Sequence, residues 1–168
     1  MRSAIVTGVS RGIGRAICQM LLDDGWQVLG VSRSEPRSIS RERFTWWQWD
    51  VGTSLRPLSG NYDALICCHG SQVPVGPIAD SDEDAWAQSI QTNLVGTYRI
   101  VKAALPSLKH SEDARILLYS GGGAFSPRPR FTAYGCSKAG IVALGESLAG
   151  ELPPNVTVNV IAPGYVAT

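Results

Sequence analysis

The chain has 168 residues, 44% of them hydrophobic, enough for one sizeable core and few for two ordinary domains. Fifteen basic against fourteen acidic residues leave a formal net charge of +1, and so weak a field argues against nucleic acid or a membrane surface as partner and for a small ligand. Cys18, Cys67, Cys68 and Cys136 lack metal-ligand spacing, no apolar run reaches the length of a membrane span, and the residues before Ala4 are too few for a signal peptide; a soluble, metal-free, cytoplasmic protein is expected.

Ile5-Val6 reads as a short strand. Thr7-Gly8-Val9-Ser10-Arg11-Gly12-Ile13-Gly14 follows, after which Ile13, Ala16, Ile17, Met20 and Leu21 recur at helical spacing until Gly25. In such a strand, turn and helix, Gly8 permits the tight turn, Gly12 lets backbone approach a pyrophosphate, and Gly14 allows close helix-sheet packing. The helix N-terminus offers free N–H groups to an anion. Trp26 to Ser32 reads as a second strand and Phe44 to Val51 as a third, with a polar stretch holding Pro36 between them. Trp46, Trp47 and Trp49 are expected in the core and on the sheet, because no basic groove accompanies them. The unbroken apolar run from Asp63 to Cys68 suits a fourth strand covered on both faces.

Ser81, with Asp82, Glu83 and Asp84 in the first turn, predicts a long helix on which Trp86, Ile90, Leu94, Val101 and Leu105 trace one face. Arg115 to Ser120 is the fifth strand. After a loop of glycines, prolines and arginines, a helix opens at Tyr134, runs toward Glu151 and stops before Pro153-Pro154; Val156 to Ile161 is the sixth strand. This alternation predicts an α/β fold: a doubly wound, Rossmann-like parallel sheet in a single domain over residues 1–168. The loops after strands one, four, five and six meet in one crevice.

Tyr134-Gly135-Cys136-Ser137-Lys138 puts a phenol and an ammonium at i and i+4 beside that crevice. At roughly 4 to 5 Å and an effective dielectric of about 20, the cation favours the phenolate by roughly 3 to 4 kcal/mol, which suits the phenol to proton exchange near neutral pH.

Thr7-Gly8-x-x-x-Gly12-Ile13-Gly14, Asn93, Tyr134-x-x-x-Lys138 and Pro163-Gly164 occur in the order and spacing of short-chain dehydrogenases/reductases, and over essentially its whole length the chain resembles that family's non-extended branch. The resemblance implies an NAD(P)-dependent oxidoreductase acting on a small-molecule carbonyl or alcohol. In it Tyr134 exchanges the proton, Lys138 holds the nicotinamide ribose, and Asn93 anchors a water linking Lys138 to solvent. It further implies cofactor contacts from Thr7, Gly8, Ser10, Arg11, Gly12, Ile13, Gly14, Asp50, Val51, Gly70, Tyr134, Lys138, Pro163, Gly164, Val166 and Thr168. Where NAD-preferring members carry an acid, this chain has Ser32-Arg33; a guanidinium there, with Arg11 as a second clamp, favours NADP(H) over NAD(H). A homodimer or homotetramer through the helices bearing Trp86 and Tyr134 is expected.

Three departures stand out. Cys67-Cys68-His69-Gly70 occupies the place of the family's Asn-Asn-Ala-Gly, and His69 is expected to be satisfied locally rather than to act as a base. The serine that polarises the substrate carbonyl aligns with Gly121; Ser120, one residue earlier, is expected to serve, with Ser126 or no serine as the alternatives. Finally, Thr168 closes the sequence where relatives continue through a substrate-covering loop, a further helix and a seventh strand, so the domain is expected to be incomplete at its C-terminus. Arg128 and Arg130, beside the crevice, are read as part of a solvated loop, with selection of an acidic substrate as the alternative. The alternative reading is a catalytically impaired NADP-binding remnant serving as a binding or oligomerisation module.

Overall fold

The computed structural model describes residues 1–37, 39 and 42–166. Six parallel strands form one sheet: β1 (Ser3–Thr7), β2 (Gln27–Ser32), β3 (Phe44–Gln48), β4 (Ala64–Cys67), β5 (Ala114–Tyr119) and β6 (Val156–Ile161), in the order β3-β2-β1-β4-β5-β6. Strand order reverses beside β1, where the chain leaves β3 at one edge and returns on the other side as β4, so the carboxyl ends of β1 and β4 flank a crevice.

The helices are α1 (Gly12–Asp23), α2 (Glu83–Ile90), α3 (Gly96–Leu108) and α4 (Thr132–Glu151). Between α2 and α3 the chain does not break; residues Gln91–Val95 form a π-helical turn. Sequence periodicity reads one long helix here, with Trp86, Ile90, Leu94, Val101 and Leu105 on one face, and does not register the wide turn. The cap also sits one residue later than expected: the Asp82 carboxylate, not Ser81, accepts the Ala85 N–H at 2.7 Å. Strand β3 ends at Gln48 rather than Val51 because Asp50 starts a turn, its carbonyl accepting from Thr53 N at 3.1 Å.

Alternation along β1 divides the core in two. Ala4 and Val6 face α1 and pack with Cys18, Leu22, Val28 and Ile66. Ile5 faces the other layer, with Leu65, Ile100, Leu108, Ile116, Leu118 and Ile141 from the central strands and from α3 and α4. Residues 4–7 and 64–67 are all buried, which explains why these strands read as unbroken apolar runs. Strand β6 is an edge, and its alternate residues Thr157, Asn159 and Ile161 are exposed. All four cysteines are free thiols, and among the described residues no helix is long and apolar enough to cross a membrane.

Candidate functional site

A crevice of about 1420 Å³ opens over the carboxyl ends of the strands. It exceeds the roughly 300–1,000 Å³ of most small-ligand pockets and so has room for an extended ligand. Thr7, Gly8, Ser10, Arg11, Gly12 and Ile13 line it from the turn after β1; Ser32 and Arg33 from the end of β2; Asp50 and Val51 from beyond β3; Gly70 from beyond β4; Tyr134 from α4; and Pro163, Gly164 and Val166 from beyond β6. Gly14, Asn93, Ser120 and Lys138 do not line it. Thr168 lies outside the described residues.

The turn after β1 comes so close to β4 only because Gly8 lacks a side chain. Its φ is +73°, and a Cβ there meets the Cys68 carbonyl carbon and the His69 nitrogen at 2.9 Å. Gly14 seats α1 on the turn: a Cβ there lies 2.5 Å from the Gly8 carbonyl oxygen. The backbone floor of the crevice is therefore bare, and Arg11, Arg15, Arg33 and Arg37 stand around it, with Glu35 and Asp50 as the acidic side chains of the same wall.

Tryptophans pin that wall. The Ser32 hydroxyl donates to the Ser34 carbonyl at 2.7 Å and accepts from Trp46 Nε1 at 3.1 Å, so it is already committed within the protein. Gln48 Nε2 donates to the Arg33 carbonyl at 3.0 Å. Trp49 is 2% exposed and packs against Trp47 at a centroid separation of 5.4 Å. Asp50 spends Oδ1 on the Gly52 N–H at 2.9 Å.

Behind Tyr134 lies a buried cation. Lys138 is 5% exposed, its Nζ donates to the Tyr119 carbonyl at 2.7 Å, and it sits 5.6 Å from the centre of the Tyr134 ring. Burial pushes its pKa down from 10.5 to about 8, opposed by the neighbouring Cys68 and Cys67 thiols. Asn93, wholly buried on the π-helical turn, clasps the loop after β4: Oδ1 accepts from Ser71 N at 2.7 Å, while Nδ2 donates to the Ser71 carbonyl at 2.8 Å and to Ser137 Oγ at 3.0 Å. Its backbone carbonyl accepts from Thr97 Oγ1 at 2.6 Å. Gly70 runs between the two groups; a Cβ there lies 3.3 Å from Asn93 Oδ1 and 3.7 Å from Lys138 Nζ.

Ser120, expected beside Tyr134, is directed elsewhere. Its hydroxyl points into the α4 interface and donates to the Lys138 carbonyl at 2.8 Å, and the residue is 3% exposed. Strand alternation is the reason: Leu118 and Ser120 share the face that packs on α4. Gly121 instead faces Tyr134, with a Cβ there only 2.4 Å from the phenolic oxygen. Ser126 lines the crevice.

His69 is held locally. Nδ1 shares a 2.7 Å hydrogen bond with Thr7 Oγ1, and Nε2 lies 3.4 Å from Thr97 Oγ1. Desolvation, with the Lys138 charge second, pushes the ring down to about 3 against a hydrogen bond to the Thr92 backbone, so the imidazole is neutral at ordinary pH. Thr97, Ser71 and Ser137 are site-building residues that sequence patterns do not single out, because each works through backbone or a neighbour's amide.

The sequence profile described as short chain dehydrogenase matches residues 2–168. Dehydrogenase/reductase SDR family member 4 of Homo sapiens is 29% identical over 98% of this chain, and the chain spans 66% of that relative's length. The 3-oxoacyl-[acyl-carrier-protein] reductase FabG of Haemophilus influenzae is 33% identical over 98% of the chain and 74% of its own length. Among solved structures, ligand-free aldohexose dehydrogenase of Thermoplasma acidophilum superposes with a TM-score of 0.87 at 26% identity, covering 97% of this chain and 66% of that one. A short-chain dehydrogenase/reductase of Saccharomyces cerevisiae does so with 0.87 at 28%, covering 99% and 71%. With profile, relatives and sheet order in agreement, the chain belongs to the short-chain dehydrogenase/reductase family of oxidoreductases.

Proposed function

We propose that this crevice binds NADP(H), with NAD(H) the weaker ligand, and that the protein interconverts a carbonyl and an alcohol by hydride transfer. One observation carries the reading: Tyr134, a phenol backed by the buried ammonium of Lys138, lines the same crevice as the arginine-flanked glycine turn. The residues present fit the cofactor. Gly8, Gly12 and Arg11 line the crevice at the start of α1, where a diphosphate fits, and Arg33 suits a 2′-phosphate. Asp50 and Val51 fit the adenine, while Gly70, Pro163, Gly164 and Val166 line the remaining wall. When bound, the nicotinamide gives or takes the hydride.

The chain's own residues handle the proton and the geometry. Tyr134 exchanges a proton with the substrate oxygen. Lys138, held by the Tyr119 carbonyl, sets a positive charge behind the phenol and toward the ribose. Asn93 fixes the Ser71 loop against Ser137 of α4, so that β4 and α4 keep their spacing during turnover. Ser126, on the crevice wall, takes the carbonyl-polarising role that Ser120 faces away from. The relatives' names, a 3-oxoacyl reductase and an aldohexose dehydrogenase, fit the two directions of such a reaction. Self-association as a homodimer or homotetramer belongs to the same proposal, and sedimentation checks it.

Titrating the purified chain with NADPH and NADH by nicotinamide fluorescence, with NADPH consumption over a panel of ketones and aldehydes, tests the reading. Tight NADPH binding with turnover supports it; binding to neither cofactor overturns it. Gly121 at the serine position and the inward Ser120 favour a second reading, an NADP-binding module without catalysis, for which the signature is binding with no turnover.

A further inference from the structure

The crevice has two cationic poles. Arg11 and Arg15 line it from the glycine turn and the start of α1, and Arg33 from the end of β2; Arg128 lines it from the loop between β5 and Tyr134, beyond β4 in the sheet order. A single dinucleotide whose phosphates occupy the first pole leaves the second unanswered.

Arg128 is held for use. Its guanidinium carbon lies 3.8 Å from the centre of the Phe131 ring, a cation-π contact, and the residue is exposed. No described residue accepts a hydrogen bond or forms an ion pair with that side chain. The loop beneath it is tied at three points: Phe131 N donates to the Arg128 carbonyl at 3.2 Å, Gly76 N to the Arg130 carbonyl at 2.9 Å, and Trp86 Nε1 to Thr132 Oγ1 at 3.1 Å. Val73, 63% exposed, and Pro127 line the crevice with it, so apolar surface borders the charge. An arginine held on an aromatic ring without a described hydrogen-bond acceptor, in a partly apolar crevice that Tyr134 also lines, is suited to an oxyanion on an apolar stem.

The geometry points to Arg128 as a specificity-determining residue that selects carbonyl substrates carrying an anionic oxygen group, a carboxylate or a phosphate, on an apolar stem. This rests on the crevice binding carbonyl compounds as proposed above. The shared chemistry is the bidentate fork of the guanidinium, which both anions satisfy.

The test pairs oxo acids of four to ten carbons with their methyl esters, which leaves the carbonyl-to-anion spacing free, and adds dihydroxyacetone phosphate against dihydroxyacetone to separate the two anions. At the best chain length the acid is favoured in kcat/KM by at least about tenfold, as expected for a charge-assisted hydrogen bond. Arg128→Ala brings the ratio to near one, through KM more than kcat; Arg128→Lys keeps part of it; Arg130→Asn, which removes a neighbouring charge and tolerates the left-handed φ of 71°, keeps it whole. Equal rates for acid and ester at every length, with no preference for the phosphate, overturn the inference while leaving the carbonyl reaction standing. If no carbonyl is turned over, the catalytic reading fails by itself, and calorimetric titration with octanoate and 1-octanol decides the anion site. Octanoate binding lost in Arg128→Ala supports it, and octanoate binding no better than 1-octanol overturns it.

Discussion

Placing a side chain at Gly121 tests whether Tyr134 works where it stands. A Cβ at this position lies 2.4 Å from the phenolic oxygen, 3.3 Å from Cζ and 3.6 Å from Cε1, so the conflict is concentrated on the reacting atom. Ordinary van der Waals contact begins near 3.4 Å, so the hydroxyl must retreat by about 1 Å. Tyr134 sits in the first turn of α4 over Gly123, and it can yield mainly by swinging its tip along the crevice. A displacement of about 1 Å at a catalytic group costs on the order of 10²-fold in rate, and overpacking costs roughly 1–3 kcal/mol of stability. Both Gly121→Ala and Gly121→Ser are therefore expected to lower kcat by that order, with NADPH binding at the distant glycine turn within twofold of wild type. NADPH consumption with the best carbonyl, nicotinamide fluorescence and thermal unfolding provide the three readings. If Gly121→Ser raises turnover, the phenol does not need the space over Gly121, and the restored serine outweighs the clash. That result would refute the packing argument.

Three further outcomes follow from the same site. Ser126→Ala lowers kcat by at least about tenfold, as for loss of a carbonyl-polarising donor, whereas Ser120→Ala loses a buried hydrogen bond to α4 and costs about 1 kcal/mol in thermal unfolding; the reverse pattern returns the role to Ser120. Arg33→Glu shifts the ratio of NADH to NADPH affinity by at least about tenfold toward NADH, measured by fluorescence titration, and an unchanged ratio removes Arg33 from 2′-phosphate recognition. Lys138 gives a pH signature. Its folded pKa of about 8 lies below the ordinary 10.5, so between these values the unfolded chain binds the extra proton and stability rises with pH. Against Lys138→Met, the wild type gains about 3 kcal/mol across pH 8 to 10.5 in urea unfolding, and a flat difference would place the ammonium in water. The Cys18 thiol, raised by burial to about 12, acts oppositely from pH 9 upward in both proteins and cancels in the difference curve.

The fold was legible in the sequence because its strands and helices obey different periods. Covered on both faces, β1 and β4 have no polar register to misread, and α1 carries its apolar residues on one stripe. The errors fell where local hydrogen bonds, not burial, set a boundary. Asp82 outcompeted Ser81 for the cap, and Asp50 ended β3 early by starting a turn. The π-helical turn at 91–95 is not anticipated, because apolar periodicity reads across it as one continuous helix.

The site divides along a similar line. Groups that act through backbone shape, such as Gly8 and Gly14, are visible in sequence because few other residues tolerate those positions, and Tyr134 with Lys138 is visible because one helical turn separates them. Ser120 against Gly121 was illegible for the opposite reason. A flexible glycine run leaves the register after β5 open, and only the strand's alternation, carried one residue past Tyr119 by the hydrogen bond from Ser120 N to the Ile161 carbonyl at 2.8 Å, decides which residue faces Tyr134. That bond belongs to the pairing of β5 with the edge strand β6. The orientation of Ser120 is thus set by the last strand of the sheet: loosening β6 would free the Ser120–Gly121 segment to change register, and the polarity of the wall opposite Tyr134 would change with it.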